Sequence, residues 1–159
     1  MRITILSIAV SIIAASLIYA AEDEPWFDMQ NCEMCKPLME VPGLMNNMTW
    51  EHHKISAGLV SISAVKPEFV DSYKKAQQSM MAINGKLMKG EPVNLCNMCK
   101  SLGDIIAAGA KRDMIESGNT FIVVTTSDNP EVVDEIHTWG ERTNKEMLAM
   151  KQSGHSGQH

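Results

Sequence analysis

The sequence predicts an α+β domain built from an internally duplicated α-β-β-α unit, with a four-stranded antiparallel sheet and its helices on one face. Three observations lead there. The four cysteines of the chain fall in two copies of Cys-x-Met-Cys-Lys-x-Leu, at Cys32–Leu38 and Cys96–Leu102. A second matched pair follows in the same order, Lys66-Pro67-Glu68-Phe69-Val70 and Asn129-Pro130-Glu131-Val132-Val133. The cysteines repeat at a spacing of 64 and the prolines at 63, so the two halves keep register within one residue. Finally, each half passes from a cysteine-led helical segment into strand-like runs and then into a longer helical segment.

The elements follow in chain order. Arg2 is the only charge before Glu22, and "ITILSIAVSIIAASLIYAA" lies between them. A positive start, an apolar run and a small-residue exit make residues 1–20 a secretory signal peptide, cut after Ala20 or Ala21. A retained membrane anchor is the alternative, because the run is nearly long enough to span. Residues 21–30, beginning "AEDEP", are expected to form a loose lead-in. The first repeat covers about 31–90 and the second about 91–152 of one pseudo-symmetric domain, 31–152, followed by a disordered tail at 153–159.

In the first repeat Pro37, Pro42 and Gly43 predict a short or broken helix after the cysteines. "TWEHHKIS-AG-LVSISAV" reads as a hairpin turning at Ala57-Gly58, with His52, Lys54 and Ser56 pointing outward. Pro67 then opens a long helix. In the second repeat a helix over 97–111 places Met98, Cys99, Leu102, Ile105 and Ile106 on one face. "DMIES-GN-TFIVVTTS" is a hairpin with a Gly-Asn turn. Asp128 or Asn129 caps the last helix ahead of Pro130, with Glu131 in its first turn. At this size neither half is expected to be stable alone.

"FIVVTTSDNPEVVDEIHTW", residues 121–139, resembles a hairpin, Thr-Ser-Asp-x-Pro-Glu-Val-Val, helix segment of small bacterial exported domains of uncharacterised activity. The resemblance covers under a fifth of the chain and implies no functional residues.

Composition narrows the function classes. The net charge of −5 becomes −6 once residues 1–20, with their single Arg, are removed. A mildly acidic chain without a basic run is a poor partner for nucleic acid or anionic lipid. There is no G-x-S-x-G, no H-E-x-x-H and no Gly-rich phosphate loop, so nothing points to a hydrolase.

The cysteines carry the chemistry. Two Cys-x-x-Cys half-sites, Cys32 with Cys35 and Cys96 with Cys99, can meet as one four-thiolate site for Zn²⁺ if the symmetry axis passes near them. Met34 and Met98, inside the motifs, and Met39, a few residues from Cys35, are further candidate ligands, since thioether sulfur favours Cu(I). The expected function is therefore exported, periplasmic or extracellular soft-metal binding at one shared site or two related ones, for sensing, delivery or sequestration, without catalysis, by a monomer or homodimer, with a protein as a further candidate partner.

Two other readings compete. Exported cysteines often oxidise, and the protein would then be a disulfide-stapled module binding a protein or ligand. A thiol–disulfide exchanger is the third, although "AEDEPWFDMQN" stands before Cys32 where a thioredoxin-type site needs a buried strand. The chain has 13 Met against 3 Trp, 2 Tyr and 3 Phe, and Met80, Met81, Met88, Met147 and Met150 are expected to fill the core. His52 and His53 must face opposite ways on a strand, and His137 is expected to be structural.

Overall fold

The computed structural model describes residues 25–152, so the stretch expected to be a signal peptide, the start of the expected lead-in and the expected tail lie outside the described residues. Eight main elements follow in the order α-β-β-α, α-β-β-α. They are α1 (Lys36–Met39), β1 (Met48–Ile55), β2 (Gly58–Val65) and α2 (Val70–Met88), then α3 (Asn97–Ala107), β3 (Lys111–Ser117), β4 (Thr120–Thr126) and α4 (Pro130–Gln152). Single 3₁₀ turns precede β1 and α2.

The sheet order is β1-β2-β4-β3, antiparallel throughout. Each hairpin thus contributes one central and one edge strand. The central pair reads "LVSIS" and "FIVVT", rich in the β-branched residues that suit a pleated interior. Leu59 and Val65 of β2 and Phe121 of β4 point to the helix-covered face and are almost fully buried. Two apolar clusters share that layer. One joins Leu59 to Val132, Ile136 and Trp139 of α4 and to the cysteines; the other joins Val65 and Phe121 to Leu38, Leu44, Tyr73 and Ala76. Glu51 and His53 on the opposite face are exposed.

Several details depart from the sequence expectations. His52 is buried, 5% exposed, and does not point outward. The register pairs it with Ser61, whose face is that of Leu59, so the even positions of β1 turn toward α4. Its Nδ1 lies 2.8 Å from Ser61 Oγ, its ring meets Trp50 and Trp139 edge-on, and Lys54 pairs with Glu141 of α4. The first hairpin turns at Ser56-Ala57, and Gly58 opens β2. A Cβ at Gly58 would sit 2.0 Å from the Thr125 carbonyl oxygen, so β4 approaches β2 there as only glycine allows.

Helix α3 stops at Ala107 rather than reaching residue 111. Gly109, at φ +103°, takes the left-handed position; Gly109 N–H donates to Ile106 O and Ala110 N–H to Ile105 O. These two bonds are a Schellman ending that satisfies the last carbonyls of the helix. Ile106 is consequently 41% exposed. Met81 and Met88, expected in the core, stand on the outer side of α2 at 60% and 82% exposure. The lead-in is also less loose than expected from residue 26 onward: Trp26 is buried, and its Nε1 donates to Thr143 Oγ1. Asn129 supplies the predicted cap, accepting from Glu131 N–H at 3.0 Å. His137 is structural, with Nε2 2.9 and 3.0 Å from the carbonyls of Gly58 and Ile55 around the first turn.

Burial gives His52 a measurable signature. Desolvation, followed by the nearby positive charges of His53 and Arg112, lowers its pKa from 6.5 to about 4. The unfolded chain takes up a proton that the folded one refuses. Stability is therefore full above pH 6.5 and falls as pH drops toward 4, by about 3 kcal/mol. Urea unfolding at pH 7 and pH 4 should show a steeper acid loss in the wild type than in His52→Gln. Equal losses in the two proteins would mean that His52 does not resist protonation.

Candidate metal centre

The four cysteines come from two unlike local structures. In the first motif both thiols precede the helix. Cys32 N–H donates to Asp28 O at 2.9 Å, and the Cys32 carbonyl accepts from Cys35 N–H at 3.1 Å and Lys36 N–H at 2.9 Å. The chain thus folds back so that both sulfurs point the same way. Pro37 can follow at once because the first turn of α1 needs no N–H there. In the second motif Cys96 is the residue before α3, in extended geometry, and Cys99 lies in the first turn. The Cys96 carbonyl accepts from Lys100 N–H at 2.9 Å. Thiolates at that end of an 11-residue helix meet the favourable end of its dipole.

Main-chain bonds lock the two motifs together. Glu33 N–H donates to Asn94 O at 2.9 Å, Asn94 N–H donates to Glu33 Oε1 at 3.0 Å, and Asn94 Nδ2 donates to Asn31 O at 2.9 Å. Met98 N–H donates to Trp26 O at 3.0 Å, and Trp139 Nε1 donates to Met98 O at 3.0 Å. Asp28, Asn31, Asn94, Trp26 and Trp139 therefore hold the site without contributing sulfur. Sequence reading missed all five. Asn31 and Asn94, which stand one and two residues before a motif cysteine, were the two with a signal, since a polar clasp is useful next to the motif.

The result is a compact four-sulfur group. One sulfur atom from each of Cys32, Cys35, Cys96 and Cys99 lies within 4.8 Å of the others. Three contacts are shorter: Cys32–Cys99 at 3.7 Å, Cys35–Cys96 at 3.9 Å and Cys35–Cys99 at 3.6 Å. All four cysteines are free, and no sulfur pair is at disulfide distance. A tetrahedron of sulfurs about 2.3 Å from a Zn²⁺ has edges of about 3.8 Å, which these contacts match. Cys32, Cys35 and Cys96 are buried and Cys99 is half-buried. The four could hold a metal ion.

Crowding four thiols splits their acidity. A hydrogen bond from Cys35 leads in pushing Cys32 down to about 6, and one from Cys32 leads in driving Cys96 well below the usual thiol range. Cys35 and Cys99 are pushed up, chiefly by Cys32 in both cases, with burial adding. A cation among the sulfurs would remove the repulsion that keeps the second pair protonated, because a coordinating thiol is deprotonated outright.

Met98 is buried in the apolar cluster that contains Cys32, Cys35 and Cys96, and Met34 packs against that cluster. Both thus stand in the layer around the thiols. Met39 lies in α1. Among the described residues, no helix is long and apolar enough to cross a membrane. No family model matches the chain, and neither a curated protein nor a solved structure matches it.

Proposed function

We propose that this chain is an exported soft-metal-binding protein, in which Cys32, Cys35, Cys96 and Cys99 hold a single Zn²⁺ as two Cys-x-Met-Cys half-sites. The observation that carries this reading is the four-sulfur group, with three contacts of 3.6–3.9 Å and none at bonding distance. Four thiolates close the coordination shell of Zn²⁺ and leave no position for an activated water, which favours holding a metal over catalysis. Cu(I) is the alternative cargo, with Met34 and Met98 as the soft sulfur beside it. Sensing, delivery or sequestration, and transfer to a protein partner, fit an exported site of this kind. Export itself rests on the N-terminal sequence pattern.

Titrating the reduced protein with Co²⁺ tests the reading. Tetrahedral thiolate coordination should appear as strong sulfur-to-metal charge transfer together with tetrahedral ligand-field bands. The signal should saturate at one ion per chain and vanish when one equivalent of Zn²⁺ is added. A spectrum without charge transfer, or saturation at two ions per chain, would count against a shared four-thiolate centre.

A further inference from the structure

The two edges of the sheet are treated differently. On β1, Asn144 of α4 takes both main-chain groups of His52: His52 N–H donates to Asn144 Oδ1 at 3.1 Å, and Asn144 Nδ2 donates to His52 O at 2.8 Å. In an antiparallel pair the N–H and C=O of one residue point to the same side. The asparagine amide therefore occupies a rung on the outer side of β1 and blocks a further strand there. The opposite edge, β3, is exposed at all seven residues. It contains no proline, and its register with β4 runs unbroken from Lys111 to Ser117, so no bulge turns it aside. An open, straight edge of this length is a template for another strand.

The sequence of β3 says which strand fits. Phe121 faces the helices, so its partner Glu116 does too, together with Met114 and Arg112. A closed two-fold pairing of β3 with its own copy needs an axis perpendicular to the sheet, so that opposed residues share a face. Centring that axis on Met114 sets Arg112 opposite the copy's Glu116, twice. No like charges are then opposed: Asp113 meets Ile115 and Lys111 meets Ser117. Centring on Asp113 would set that carboxylate against itself, and centring on Ile115 would set Glu116 against Met114 and Arg112 against Gly118. Opposite charges directly across a pair stabilise it, and like charges destabilise it. Lys74 of α2 already holds Glu116 Oε2 at 2.7 Å in an exposed pair, and the Arg112 charge reaches toward His52, so both side chains swing outward to meet the copy. Met114 and Ile115, 59% and 52% exposed, would gain cover.

We infer that the β3 edge is the interface for a second copy of this chain, paired antiparallel about Met114 into a continuous eight-stranded sheet with the helices of both copies on one side. The pairing places two Arg112–Glu116 contacts across the two-fold axis. It is independent of the metal centre and would stand if that reading failed.

Sedimentation of the protein as its host produces it, over a range of concentrations, tests this together with two single variants. Arg112→Glu sets like negative charges opposite each other at both ends of the pairing, and Glu116→Arg sets like positive charges there. Each variant alone should lose the dimer while keeping the wild-type circular dichroism spectrum. Mixing the two in equal amounts should restore a dimer. One chain then carries carboxylates at both positions and the other carries guanidinium groups at both, so opposite charges meet at each end. That recovery cannot come from chains that failed to fold. A wild type that is monomeric throughout would overturn the inference, even if some other protein's strand binds the edge. A dimer that persists in both single variants would also overturn it, placing the contact elsewhere on the chain.

Discussion

Replacing Cys96 by serine is expected to abolish tight metal binding and to strip the protein of most of the stability that the metal supplies. Cys96 is 6% exposed, stands at the start of α3 and lies 3.9 Å from Cys35 across the two motifs. A serine hydroxyl is neither soft nor ionised at neutral pH, so one corner of the tetrahedron is lost. Any ligand that binds only the folded chain stabilises it by mass action, about 4 kcal/mol when free metal exceeds its dissociation constant a thousandfold. Urea unfolding of the wild type with and without chelator should therefore differ by several kcal/mol. The Cys96→Ser protein should show no such difference. With all four sulfurs on one ion, as proposed, Cys35→Ser combined with Cys96→Ser should cost little more than either alone, a strongly non-additive result. Independent, additive costs from the two motifs would point instead to two separate local sites.

The second large effect is structural. Gly58→Ala should be among the most damaging small substitutions in the chain. The added methyl would meet Thr125 O at 2.0 Å and Thr126 Cα at 2.9 Å, both backbone atoms that cannot move without breaking the β2–β4 ladder. The residue also sits at φ +150°, which side-chain-bearing residues rarely adopt. Overpacking of a tight core costs about 1–3 kcal/mol, and the loss here should reach or pass the upper end because backbone has to shift. Thermal unfolding followed by circular dichroism measures it. A Gly58→Ala protein as stable as the wild type would mean that the two central strands lie further apart than described. Since β2–β4 is the seam between the two hairpins, its disruption should also loosen Leu59 against Trp139, which in turn supports Met98 beside the thiols.

Much of this architecture was legible because it rests on repeated, local signals. The two prolines at a helix start, the Gly-Asn turn and the strand-like runs of β2 and β4 each act over a few residues, and each led to the right element. The matched order of cysteines and prolines gave the α-β-β-α arrangement used twice, and with it the four-stranded sheet. The bringing together of Cys32, Cys35, Cys96 and Cys99 followed from the same pattern.

What was not legible depends on partners distant in sequence. The face taken by His52 was misjudged because "EHHK" is polar at every position; only the register with Ser61 and the clasp from Asn144, 92 residues away, decides it. Trp26 was placed in a loose lead-in because its surroundings are acidic, yet its main-chain carbonyl and indole reach Met98 and Thr143. Met81 and Met88 fit a helical core pattern, but α2 covers only one end of the sheet and leaves them outside. The support of the four-cysteine cluster by Asn94 and Asp28 likewise lies in backbone bonding that residue types alone do not announce.

The most direct test of the central claim is the intact mass and bound metal of one sample, purified from its native compartment without chelators or added reductant. A fully reduced chain carrying one equivalent of zinc or copper is expected, with the metal lost in the Cys96→Ser protein. A metal-free chain lighter by the hydrogens of two disulfides would contradict it, making the cysteines staples and moving the function to the protein's surface.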